Sequence, residues 1–151
     1  MRSTKTLGVL TAVAAALLLC SCSVSDEGGF GLPTLAADAA GDALRAAGAT
    51  AADLEGSLVV GGNGCFRWSS DDGADGAWVV WPRGWKQDAD RVVTDSGQTI
   101  GDGASVVGTG ARIALADLPD GDDADSYFGA FGGFCEAGES GVVVLTSAHT
   151  R

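Results

Sequence analysis

Histidine is nearly missing from this chain, with His149 the only one among 151 residues. A histidine-rich metal site is excluded by that count. Nucleophilic chemistry of the Ser-His-Asp or Cys-His kind would have to use a ring beside the carboxyl end, where terminal residues hold geometry poorly. Basic residues are scarce too: 9 Lys and Arg stand against 20 Asp and Glu, and the formal net charge is -11. The only loose basic group is Arg83, Lys86 and Arg91. Phosphate backbones need a basic footprint, so nucleic acid is disfavoured as a partner. No Gly-Lys-Ser or Gly-Lys-Thr occurs, and "GDGASVVG" and "GTGARI" lack the GxGxxG order. Phosphate-loop and dinucleotide chemistry fall with them, and both segments are expected to be turns. Long apolar runs are absent as well. The run at residues 7–19 is far short of the roughly 20 residues that a membrane-spanning helix requires.

Glycine, by contrast, is abundant, with 24 residues. Short β-branched and aromatic segments stand between Gly/Asp clusters. "LVVGGNGCFRWSS" pairs two such segments around Asn63-Gly64, the dipeptide best suited to a tight hairpin turn. "AWVVWP" alternates Trp78 and Val80 with Val79 and Trp81, so both of its faces call for apolar cover. "RVVTDSGQTI" reads as a hairpin around residues 95–97, residues 105–109 and 112–115 as strands, and residues 142–148 as a β-branched closing strand. Tyr127, Phe128, Phe131 and Phe134 fit a short helical turn or a close-packed loop leading to Cys135. The expected fold is all-β: a small barrel, OB-like or Greek-key, or a compact sandwich of about five to seven short strands, with one or two short helices. The expected layout is a signal segment at 1–21, a tether with a possible short helix at 22–53, and the β domain at 54–151.

The amino-terminal segment "MRSTKTLGVLTAVAAALLLCSC" has basic residues at Arg2 and Lys5, an apolar stretch, and small residues at its end, the layout of a secretory signal. Its last four residues, Leu19, Cys20, Ser21 and Cys22, resemble the lipobox of bacterial lipoproteins. That resemblance implies that Cys22 is diacylated and becomes the mature amino terminus, while Cys20 leaves with the signal. Two acyl chains retain a soluble domain on a bilayer where one gives only reversible binding. The alternatives are a plain secretory peptide cut nearby and, more remotely, a zinc site, for which one intervening residue is too short a spacing. Residues 54–110 also resemble small all-β domains of exported actinobacterial proteins, in which a Gly-Cys turn strand is followed by an apolar strand ending in Trp-Pro. That likeness carries no catalytic residue.

If Cys20 and Cys22 are spent in this way, Cys65 and Cys135 remain as one pair in an oxidising compartment, either bridged or as two buried thiols. A bridge between them would stabilise the fold by on the order of 3 to 4 kcal/mol. Two acidic loops are weak calcium candidates, one with Asp71, Asp72 and Asp75, the other with Asp120, Asp122, Asp123 and Asp125. In the first, Gly73 stands at a ligand position and Pro82 where a bidentate Glu belongs; the second lacks the turn glycine. No cofactor is expected. Four tryptophans fall within residues 68–85. They are core of a small barrel, or else Trp81 and Trp85, with Arg83 and Tyr127, line a shallow groove for a sugar-like or peptide ligand. The expected function is a non-catalytic binding module at the extracytoplasmic face of the cell membrane. Its lipid contact runs through acylated Cys22, and its partner is an envelope protein or glycan. The alternatives are an accessory domain without a small-molecule site and a small hydrolase.

Overall fold

The computed structural model describes residues 31–70 and 76–151. The signal segment, Cys20, Cys22 and the calcium candidates Asp71, Asp72 and Asp75 lie outside the described residues.

Nine strands are described: β1 (Thr34–Leu35), β2 (Ala52–Val60), β3 (Phe66–Ser69), β4 (Ala77–Pro82), β5 (Lys86–Asp88), β6 (Arg91–Val93), β7 (Thr99–Ile100), β8 (Ser105–Ile113) and β9 (Val142–Thr150). Three α-helices accompany them, α1 (Ala37–Ala46), α2 (Tyr127–Phe134) and α3 (Ala137–Ser140), together with a 3-10 turn at Leu115–Asp117. The order β4-β3-β2-β8-β9 closes on itself through a parallel pairing of β4 with β9, in register at Trp78 and Val142. The result is the expected small barrel, five-stranded, mixed in direction, with β1 as an added strand and a separate β5-β6-β7 meander. Closure removes the open edges that a five-stranded sheet would otherwise expose. Beyond the end of β3, β1 continues the sheet alongside β4: the Trp81 and Arg83 amides donate to the Pro33 and Leu35 carbonyls at 2.8 Å each.

The alternation in β4 explains the two-part core. Its outward residues Trp78 and Val80 join Val142 and Val144 of β9 under a helical layer made by Ala40, Ala43 and Leu44 of α1 and Phe128 and Phe131 of α2. Its inward residues Val79 and Trp81 join Leu58, Phe66, Trp68, Val106, Val143 and Leu145 in the barrel interior. Trp85, Val92 and Ile100 extend that inner cluster into the meander. Five of the six residues of β4 are therefore buried, and the strand is a partition between two apolar compartments.

Three local expectations change. The β2–β3 hairpin forms, but Val60 pairs with Phe66 across a five-residue loop and not a two-residue turn. Of Asn63 and Gly64 only Gly64 takes positive φ, whereas the tight turn needs it at both; Asn63 instead accepts the Cys65 amide on its side-chain oxygen at 3.2 Å. "GTGARI" is strand, not turn. Gly108 and Gly110 lie within β8 at a bulge against β9, where a Cβ at Gly108 would come within 2.5 Å of the Ser147 carbonyl oxygen. The terminal strand also runs further than expected, and His149 is held in register with Val107 of β8.

The segment before residue 54 is built into the fold from β1 onward. Helix α1 buries Ala40, Ala43 and Leu44, and β2 starts at Ala52.

Candidate functional site

Outward from β3 and β4, five-stranded Greek-key barrels of OB type commonly take ligands, helped by the loops joining their first and second and their fourth and fifth strands. Here the corresponding loops are residues 61–65, between β2 and β3, and residues 114–141, between β8 and β9. They are joined to each other by the Cys65–Cys135 disulfide, whose Cα atoms are 5.8 Å apart. Helix α2 rides on the second loop and lays Phe131 on Trp78, ring centroids 5.0 Å apart. The Ser126 hydroxyl caps that helix, accepting the Gly129 amide at 2.9 Å and donating to the Asp120 carbonyl at 2.6 Å. Just past the disulfide, Glu136 holds the left-handed conformation at φ 59° and pairs with Arg67 of β3 at 2.9 Å. Arg67 also donates to the Gly76 carbonyl at 3.1 Å. Disulfide, ion pair and aromatic contact thus fasten α2 over the outer face of β3 and β4, and that face is occupied by the chain itself.

The residues expected to form a groove are placed in two different settings. Trp81 is fully buried and Trp85 nearly so, their rings stacked at 5.5 Å where the barrel interior meets the meander, with Phe66 edge-on to Trp81 at 6.3 Å. No open tryptophan face is left, since Trp68 and Trp78 are buried as well. Arg83 is exposed at the end of β4, and Tyr127 is half-exposed on α2, where its hydroxyl reaches the Leu32 carbonyl at 3.4 Å. A stacking platform therefore gives way to barrel filling, because four large rings are what a small barrel uses to fill its two compartments. The indole nitrogens of Trp78 and Trp81 find no hydrogen-bond partner among the described residues, a cost of about 1–3 kcal/mol each that the buried ring area offsets.

Carboxylates remain dispersed. Asp120, Asp122, Asp123 and Asp125 are exposed, and Asp123 spends an oxygen on the Asp125 amide at 2.9 Å. Among the described residues no group of three or more His, Cys, Asp or Glu side chains is placed to hold a metal ion. His149 is exposed on β9.

Two features escaped the reading of the sequence. One is a shallow cleft of about 290 Å³ between α1 and the 3-10 turn, lined by Ala39, Ala43, Ala46, Leu118 and Pro119 with Asp42 and Asp117 at its rim. Nothing in the sequence signals it, because its walls come from residues 39–46 and 117–119, far apart along the chain. The other is the outer stripe of α2, where Tyr127 and Phe134 are 47% and 52% exposed. Their seven-residue spacing, two helical turns, was the signal available. Among the described residues no helix is long and apolar enough to cross a membrane. Comparison with known proteins finds no matching family model, no matching curated protein and no matching solved structure.

Proposed function

We propose that this chain is a bacterial lipoprotein, held at the extracytoplasmic face of the cell membrane through an acylated Cys22, and that its barrel is a non-catalytic envelope domain working through its outer surface. The observation that carries the reading is the disulfide between Cys65 and Cys135, buried at 2% and 0% exposure. Such bridges persist in oxidising compartments and are rare in the cytosol, which agrees with an exported chain and with the lipobox-like Leu19-Cys20-Ser21-Cys22. Burial of all four tryptophans favours an accessory domain that makes contacts with envelope proteins or glycans over a pocket for a small molecule. A second reading, a module for a small peptide or sugar-like ligand, has the α1 cleft as its concavity.

The test is fractionation of cells making the full chain or its Cys22→Ser variant. The reading predicts that the parent sediments with membranes and that the variant moves to the soluble extracytoplasmic or secreted fraction. An equal distribution of the two would sink it.

A further inference from the structure

Helix α2 is a surface helix without a single charged side chain, "YFGAFGGF". Surface helices ordinarily carry polar residues on the face away from the core. Here the inward stripe is Phe128 and Phe131, buried to 8% and 7%, and the outward stripe is Tyr127 and Phe134, half exposed. Tyr127 stands edge-on to Phe131 at 6.0 Å and to Phe128 at 5.0 Å, so its ring rests on the inward ones. Exposed acids flank it in sequence, Asp122, Asp123 and Asp125 before the helix, Glu136 and Glu139 after it.

The Tyr127 hydroxyl donates to the carbonyl of Leu32, so the outward stripe begins beside residue 32. From Leu32 back to Cys22 is a chain of ten residues, whose full extension is at most about 35 Å. An acyl group on Cys22 therefore keeps this side of the domain within that reach of the bilayer.

We propose that the Tyr127/Phe134 face of α2 is a membrane-docking surface, which sets the domain down on the headgroup region of the bilayer that holds its anchor. This rests on the anchor at Cys22 proposed above. Tyrosine suits the bilayer interface because its ring is apolar and its hydroxyl polar, and phenylalanine adds apolar area. The flanking carboxylates select zwitterionic over anionic headgroups, since the latter would repel them. Docking by two side chains is weak by itself and becomes effective because the anchor makes it intramolecular.

The test uses the full-length acylated chain with Phe134→Trp, reconstituted in phosphatidylcholine vesicles with brominated acyl chains, which quench tryptophan at short range. The added indole should lose emission relative to unbrominated vesicles, while the four buried native tryptophans of the parent lose little. Tyr127→Trp, at the other end of the stripe, should behave alike and guards against an effect peculiar to one site. The proposal is overturned if the acylated chain floats with the vesicles and neither added indole is quenched, a result that leaves the anchor intact. Emission protected from a water-soluble quencher only as protein concentration rises would mean that a second copy covers the face, and also overturns it. A chain without acyl mass that fails to float removes the anchor, and the docking proposal goes with it, by a result plainly different from the first.

Discussion

Trp81 has no exposed surface, packs against Phe66 and Trp85, and leaves its indole nitrogen without a described partner. The ring is retained for its volume: in a barrel of five strands, few other side chains can span the interior. Trp81→Ala should therefore lower unfolding free energy by about 3–5 kcal/mol, measured by denaturant titration. A loss under about 1 kcal/mol would mean that the interior collapses around the gap or was never tightly filled. Tyr127 offers a second test at this scale. Partial burial removes water from its phenol and raises its pKa above the ordinary value of about 10. The folded form thus keeps its proton to higher pH than the unfolded form. Its contribution to stability is complete below the unfolded value and is lost as pH climbs through the folded one. Because the chain has one tyrosine, an absorbance titration in the near ultraviolet reads this group alone. The native midpoint should lie above that of the unfolded chain, and Tyr127→Phe should flatten the alkaline fall in stability. Coincident midpoints would contradict the burial.

The elements that matter most for function are those that cover β4. Helix α2 is held by the Cys65–Cys135 bridge, by its Ser126 cap and by Phe131 on Trp78, and these attachments close the outer face of β3 and β4. Cys65→Ser with Cys135→Ser should cost about 3 to 4 kcal/mol, read as a lower denaturation midpoint that the reduced parent shares. An unchanged midpoint would mean that the helix layer is held without the bridge. Much at this scale was legible in the sequence. The alternation of Trp78 and Val80 with Val79 and Trp81 announced two buried faces, and the aromatic spacing before Cys135 allowed the helix that forms there, with a close-packed loop as its alternative. What covers those faces was not legible, since α1 and α2 reach them from residues 37–46 and 127–134. An alanine stripe as thin as that of α1 does not reveal whether it docks. Gly108 and Gly110 misled for a related reason: a glycine demanded by close approach to β9 looks, in one dimension, like a glycine demanded by a turn.

The molecule as a whole is an acidic barrel with an aromatic interior, a helical layer on one side and a staple between them. Its closure depends on the parallel pairing of β4 with β9, strands separated by about sixty residues of sequence, and no local pattern encodes that contact. The class of fold was readable because short strands and turns dominate the composition; the order of strands was not. For the site, sequence placed the disulfide cysteines correctly but left Trp81 and Trp85 between barrel core and a ligand groove, because an apolar ring on a strand has the same spelling whether it faces a core or a ligand. At this scale the central claim is where the protein is held. Mass analysis of its mature amino terminus tests that most directly. The account predicts a chain beginning at Cys22 and carrying the added mass of its acyl groups; an unmodified terminus at any other residue would contradict it.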